Sequence, residues 1–533
     1  MTAATRSIAI GRTSYPLVLP NIRDPRLHVA AVIISIHVLG QVALGFRVSV
    51  PQILAAILAT AIIEVVLTFR TSRAFVWPAS AMLTGSGVAL ILRVVGTPAN
   101  DPWNTDAWYV FAGVAAFALL TKYVIRYRGS HVFNPSNIGL VVAFLLLGST
   151  RVEPLDFWWA PLDTWGMIAA YAVILIGGLL ITRRLRLLVL AATFWGALTI
   201  GVGLLAASGH CMTANWAFAP VCGFDFWRVI ITSPEVMIFL FFMITDPTTV
   251  PAGQIGRVMF GLLVAVTSTL LMAPQTDEWG TKVGLLTGLV LVCAARPLLD
   301  RIAPEPRSAA DDLGRFAARL ATGGVPGASV VRGAARVGLL AVAVLVIGAG
   351  IVVAGSPARV PVAPDATAIL DRVPHQVDPA TFPAITVEED VTSWNHEISG
   401  PGAQEILLTL AENLELERTA LLHGDGDILR AVDHGDRLAE MEARLADAGS
   451  STTVERYAFD DVHVTLIVPF GVQSGLSLGF ETRGSVTTET FAPDGALADS
   501  KTTPFEGTFV MRRATGDRWL NVAVLPAGVA PGE

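Results

Sequence analysis

Eleven apolar segments follow one another through Met1–Gly355, and no other feature narrows the folding options so far. They run over Leu27–Val48, Val50–Phe69, Phe75–Val95, Ala107–Ile125, Val132–Gly148, Trp165–Thr182, Leu187–Ala207, Phe226–Ile244, Ile255–Ala273, Val283–Leu299 and Gly338–Ala354. Several approach the ~20 residues that carry a helix across ~30 Å of hydrocarbon. Backbone polar groups at that depth have to be satisfied within the segment, so helices are predicted. At 53% hydrophobic and 15% charged residues, with a mean hydropathy of +0.59, the chain is neither an ordinary soluble enzyme nor disordered. The first run, from about Leu27, is long enough to span, which predicts no cleavable signal peptide.

Basic residues set the expected topology. Arg6, Arg12, Arg23 and Arg26 precede the first segment, Arg70 and Arg73 follow the second, and Lys122, Arg126 and Arg128 follow the fourth. Arg183, Arg184 and Arg186 follow the sixth, Arg257 the eighth, and Arg296 to Arg336 fill the connection after the tenth. If every segment crosses, all of these share one side. The opposite loops are acidic or rich in tryptophan (Trp158, Trp159 and Trp165 read as an interfacial belt). The positive-inside rule then predicts a multi-pass cell-membrane protein with a cytoplasmic N-terminus and an external C-terminal part. Cys211 and Cys222 would face the oxidising side, where a disulfide is permitted. Cys293, inside an apolar run, reads as a packing residue.

Charge divides the chain at the same place. Met1–Gly355 carries 25 Lys and Arg against 16 Asp and Glu, whereas Ser356–Glu533 carries 12 against 28. The acidic part argues against nucleic acid as a partner. The expected organisation is a cytoplasmic N-terminus (1–26), a ten-span membrane domain (27–300), a cytoplasmic linker (301–337) and an eleventh span (338–354). An extended linker (355–400) and an α+β external domain (401–533) complete it. Within the linker, Ser308–Leu320 is predicted as a short amphipathic helix, and the Pro-rich Ser356–Pro383 as extended chain. In the tail, Ala403–Leu422 and Gly426–Ala448 read as helices, the first with a stripe of Leu407, Leu410, Leu414 and Leu421. Strands are predicted at Thr452–Phe459, Val462–Phe470, Leu476–Phe491, Phe505–Arg513 and Trp519–Leu525. Helices followed by strands make an α+β fold. His423, Asp425, Asp427, Asp433, His434 and Asp436 match no metal-loop spacing and read as solvated polar residues, so no metal is expected.

Two apolar segments break at polar–proline steps. Phe241–Gly261 runs into Thr245-Asp246-Pro247 and restarts at Gly256-Arg257, and His131–Gly139 opens a helix at Asn134-Pro135. Irregular backbone at membrane depth survives only inside protein or along a cavity, so both are site candidates. Dividing ten spans into two fives puts one break in each half. An odd number of spans per half makes the halves inverted repeats around a central site. Thr84-Gly85-Ser86-Gly87 and Pro234-Glu235 are further candidates for the interior face. Glu64 and Glu235 lie within spans, where an ionised group costs about 2.5–3.5 kcal/mol on insertion scales. An ion or proton pathway is one reading of them, and a structural hydrogen bond or an interfacial position is the other.

These stretches resemble the NqrB/RnfD family, the integral membrane subunits of the Na+-pumping NADH:quinone oxidoreductase and of the Rnf complex. The resemblance rests on His131, Phe133, Asn134 and Pro135, then Thr245, Asp246, Pro247, Thr248, Gly256, Arg257, Phe260 and Gly261, with Leu83-Thr84-Gly85 earlier, and it covers about Leu27–Arg301. It implies a ten-helix fold, flavin binding (FMN or riboflavin) and membrane electron transfer, with Asn134, Pro135, Thr245, Asp246, Thr248, Thr84 and Gly85 as cofactor-binding candidates. The family's redox subunits link FMN to a Thr of a Ser-x-Ala-Thr-like motif after the Asn-Pro helix. Here that loop is Ser149–Asp163, and Thr150 lacks the setting, so noncovalent flavin is expected. The fused tail resembles the nuclear-transport-factor-2-like cone, and the whole resembles stand-alone members associated with enediyne biosynthesis. The expected function is membrane electron transfer with redox partner proteins, coupled to cation movement or serving a specialised pathway. A non-redox transporter on the same scaffold is the alternative, and a membrane scaffold with an external recruitment domain the second. No Walker A loop or Rossmann fingerprint is present.

Overall fold

The computed structural model describes residues 6–10, 12–95, 97, 101–149, 151–155, 165–212, 221–316, 330–356, 369, 377–378, 382–394, 398–447, 451–467, 477–513 and 518–527. The chain forms two compact units, Met1–Met212 with Val221–Arg359 and Thr213–Pro220 with Val360–Glu533.

The first unit is helical, and several of its helices begin at a polar cap followed by proline. Asp24 caps α1 (Pro25–Val42), Ser49 caps α2 (Val50–Ser72) in a capping box with Gln52, and Asn134 caps α5 (Pro135–Leu147). Each cap side chain accepts a first-turn N–H that has no partner within the helix, and proline at the first positions gives up no bond. Between α2 and α5 lie α3 (Ala79–Ile91) and α4 (Trp108–Val124). The second set is α6 (Trp165–Arg184), α7 (Leu188–Ala207), the broken segment α8 (Gly223–Thr232) and α9 (Pro234–Ile238), α10 (Gln254–Met272) and α11 (Glu278–Ala294). The short α12 (Arg296–Ile302) is bent 56° from α11. A further helix, α13 (Val330–Ala354), packs on α7 and α10.

Six helical segments are long and apolar enough to cross a bilayer, or seven if α11 and α12 are one bent span. The segments expected over Phe75–Val95 and Val132–Gly148 are shorter as helices. At 13 residues each, α3 and α5 reach only about 20 Å. Extended backbone takes over from them: β4 (Leu92–Val94) continues α3 and pairs antiparallel with β7 (Val152–Pro154), which follows α5. The pairing brings buried Arg93 onto Glu153, so the ladder bonds and an ion pair satisfy backbone and charge together. Periodicity reads an apolar helix and an apolar strand alike, which is why the sequence showed one long segment in each place.

Gly85 on α3 allows the close approach of α2. A Cβ there would lie 2.4 Å from the Ala56 carbonyl oxygen and 2.6 Å from Thr60 Oγ1. Gly85→Ala is expected to destabilise the unit by about 1–3 kcal/mol through overpacking. Thermal unfolding in detergent checks it against Gly113→Ala, a position with nothing within 4 Å. Thr150, Trp158, Trp159, most of Ser149–Asp163 and most of Ser356–Pro383 lie outside the described residues. Of Ser308–Leu320 the described part is turn, with helix beginning at 313.

In the second unit a five-stranded sheet has the order β10 (Ile385–Val387), β11 (Thr452–Ile467), β12 (Ser477–Phe491), β13 (Leu497–Arg513), β14 (Trp519–Pro526). Only β10 and β11 are parallel neighbours. The short α14 (Glu389–Trp394) follows β10, and α15 (Pro401–His423) lies on the sheet. The apolar stripe of α15, Leu407, Leu410 and Leu414, meets Val462, Val464, Leu478, Phe480, Phe509 and Met511 in one core. The two strands expected on either side of Asp460-Asp461 are one: a bulge between Phe459 and Asp461 absorbs the extra residue and bends β11. Conversely, the helix expected over Gly426–Ala448 is two, α16 (Gly426–Val432) and α17 (Gly435–Ala446). The chain breaks where Asp433 bridges to Asn521 of β14 and Gly435 takes φ of 60°.

Candidate functional site at the joined helix breaks

The two polar–proline stretches are far apart in the chain and meet in the fold. α9 starts at Ser233, whose hydroxyl accepts the Val236 N–H, and ends in a π-helical turn, Phe239–Met243. That wider turn leaves carbonyls without their usual intrahelical partners, and side chains from elsewhere supply donors. Asn134 Nδ2 donates to the Met243 carbonyl (3.2 Å) while its Oδ1 caps α5 through Asn137 N–H (3.2 Å). Asn137 Nδ2 donates to the Leu286 carbonyl on α11 (3.0 Å). Thr245 Oγ1 donates to the Phe241 carbonyl (2.5 Å).

Asp246 is the hub of the break. Its Oδ1 accepts from the Thr248 N–H (3.0 Å) and hydroxyl (2.6 Å), and its Oδ2 lies 3.1 Å from His131 Nε2. Because the Thr248 hydroxyl proton goes to Asp246, its oxygen at 2.6 Å from Nε2 is an acceptor, which places the imidazole proton on Nε2. Arg296 Nη1 donates to the Thr248 carbonyl (2.5 Å). The third stretch joins through Ser136, whose hydroxyl donates to the Thr84 carbonyl (3.0 Å), and Ser86 Oγ lies 3.2 Å from His37 Nε2. The fold therefore brings Thr84, Asn134, Pro135, Thr245, Asp246 and Thr248 into one joint, with Gly85 beside it on the α2 contact.

Glu64 and Glu235 are not part of that joint. Glu64 lies 3.4 Å from Lys122 Nζ and accepts the Tyr123 hydroxyl, while Lys122 also reaches Ser80 Oγ at 3.2 Å. Lys122, read from the sequence as a topology residue, is thus also the partner of a carboxylate within a span. Glu235 lies 3.7 Å from Lys282 Nζ, which contacts Glu278 at 2.5 Å and the Leu155 carbonyl at 3.3 Å. Sequence reasoning missed Lys282 and Glu278; the i,i+4 spacing at the start of an apolar helix was the available signal. It also missed Asp311, which caps α10 from a distant segment by accepting the Ile255 N–H (3.0 Å) and the Arg307 N–H (3.1 Å). Burial raises the Asp311 carboxyl, but these amides outweigh it and hold the group below its usual range. Cys211 and Cys222 form a disulfide between β8 (Cys211–Met212) and β9 (Val221–Cys222).

A cavity of about 30 Å³ adjoins the joint, lined by Leu90, Leu155, Glu235, Phe239, Met243 and Lys282 among others. It has room for a water or two. A flavin ring does not fit there, and the polar side chains of the breaks are committed to one another. In the second unit Asp433 is buried, which corrects its reading as a solvated residue. No cluster of three metal-ligating side chains occurs among the described residues.

Long apolar helices, with breaks whose polar groups are satisfied from neighbouring helices, define a multi-pass membrane protein. The chain is similar to the RnfD-type component of the ion-translocating oxidoreductase complex of Klebsiella pneumoniae (strain 342), with 24% identity over 325 residues, covering 48% of this chain and 86% of that one. No family model matches the sequence.

Proposed function

We propose that the membrane unit is an electron-transfer component of the NqrB/RnfD type, working with protein partners in the bilayer and coupled to ion movement. The observation that carries this reading is the similarity to a component of an ion-translocating oxidoreductase over 86% of that component's length. Helix packing supports two inverted five-helix repeats, α1–α5 and α6–α11. α1 packs on α6 and α5 on α11, each on its counterpart, and the α2–α4 contact has its equivalent in α7–α10. Such halves need a joint at their interface. The meeting of Asn134 with Met243 and of His131 with Asp246 provides one. The disulfide lies in a loop that the basic residues place outside, which supports a cytoplasmic N-terminus and an extracytoplasmic second unit. The fused second unit, helices against a curved sheet, suits the cone-like reading and favours a specialised redox pathway, as in the enediyne-associated members, over a role within a multi-subunit pump.

In this reading the joint holds the repeats together, and flavin, which supplies one- and two-electron transfer when bound, is held noncovalently on another surface of the unit. The test is the absorption spectrum of detergent-purified protein before and after acid precipitation, for the natural chain and for Thr248→Val. A flavin band that acid releases, present equally in both proteins, is the expected result. Loss of the band in folded Thr248→Val would show that the joint itself binds the cofactor. No band from well-folded natural protein, expressed with flavin in excess, would remove the redox reading and leave a non-redox transporter on the same scaffold.

A further inference from the structure

The second unit carries a buried charge cluster at the corner where α16 turns into α17. Glu417 of α15 is 3% exposed and receives donors on both oxygens. Arg437 Nη2 lies 2.5 Å from Oε2 and its Nε 3.2 Å from Oε1, while Asn521 Nδ2 donates to Oε1 at 2.6 Å. Three donors suit an ionised carboxylate. Asp433 is just as buried, at 2% exposure, yet neither of its carboxyl oxygens has a hydrogen-bond partner among the described residues. Arg437 spends its remaining contact on Glu440 at the rim, 3.0 Å away. Asn521 is held by Asn413 Nδ2 at 3.2 Å, and Arg518 turns to Asn413 Oδ1 at 2.7 Å. One guanidinium therefore serves two buried carboxyl groups, and the geometry gives it to Glu417.

We propose that Asp433 is held as a carboxylic acid facing Glu417, and that this acid is a pH-sensitive clasp fastening the α16–α17 corner to α15 and β14. An ionised carboxylate buried without donors is costly enough that the group keeps its proton instead. The backbone around Asp433 is tied down: its N–H donates to Leu429, and the His434 N–H donates to the Asn521 carbonyl at 2.8 Å. Ionisation cannot be relieved by swinging away, so the new charge acts against Glu417. The charged and titratable groups facing Asp433 are Glu417 from α15, and Arg437 and Glu440 from α17. Tyr457 of β11 faces the same Glu417–Arg437 pair, and the β14 neighbour, Asn521, is neutral.

Burial, and then the negative charge of Glu417, hold the Asp433 carboxyl well above the usual carboxylate range, with Arg437 opposing. A folded-state value above the unfolded one means that the native state binds the extra proton. The clasp is then at full strength below the unfolded value and weakens as pH rises through the folded value.

Hydrogen exchange of the α16 and α17 amides, followed in full-length protein from about pH 5 to about pH 8 and corrected for intrinsic exchange, tests this. Protection is expected to fall as pH rises, and Asp433→Asn is expected to remove that slope. An equal slope in folded Asp433→Asn, or no slope in the natural protein, would overturn the proposal. Should Asp433→Asn not fold, Glu417→Gln serves: taking away the neighbouring charge moves the midpoint of the slope down by about one pH unit, and an unmoved midpoint would count against the clasp.

Discussion

Asn134→Leu is expected to lower the stability of the membrane unit by about 3 kcal/mol, read as a lowered unfolding temperature in detergent. The side chain is 9% exposed and works at both ends. As an acceptor it caps α5, a contribution of about 1 kcal/mol. As a donor it satisfies the Met243 carbonyl beside the π-turn, and stranding a buried polar group costs about 1–3 kcal/mol. Leucine removes both functions and leaves Asn137 N–H and the Met243 oxygen without these partners. Asn134→Ser separates the terms, because serine caps a helix about as well but is too short to reach Met243. The expected order is natural protein, then serine, then leucine. Equal losses in the two variants would mean that the bond across the repeats contributes nothing.

Arg437→Met is expected to cost the second unit about 3–5 kcal/mol, the usual penalty for removing one partner of a buried ion pair. Arg437 and Glu417 are 3% and 4% exposed at the side chain. Without the guanidinium, Glu417 keeps only Asn521 as a donor, and its charge faces Asp433. Arg437→Met combined with Glu417→Leu is expected to be milder than the single change, since no uncompensated charge then remains; a double-mutant cycle measures the difference. A double mutant as unstable as Arg437→Met alone would show that the arginine acts by packing.

The helix breaks were visible in the sequence because proline and a capping side chain act locally, whatever the tertiary surroundings. Thr245-Asp246-Pro247 and Asn134-Pro135 were identified on that basis, and the fold joins them. Glu64 and Glu235 stood out because a carboxylate in an apolar run is costly anywhere. Their lysine partners did not, since Lys122 is 58 residues from Glu64 and Lys282 begins a helix of its own. The half-length helices α3 and α5 were hidden by β4 and β7, whose residues are as apolar as the helices they extend. In the second unit Asp433 looked like one of a run of polar loop residues, and nothing local distinguishes it from Asp425, which caps α16.

What the sequence determined by itself is whatever depends on neighbours in the chain: apolar length, caps, breaks, the sidedness of the arginines, and helices before strands in the tail. What only the tertiary structure decided is whatever depends on pairing. Burial makes a partner obligatory for a carbonyl, a carboxylate or an arginine, but the partner is chosen by proximity in space. Asn134 with Met243, Lys282 with Glu235 and Arg437 with Glu417 are each set by how helices pack, and no local pattern encodes which donor arrives.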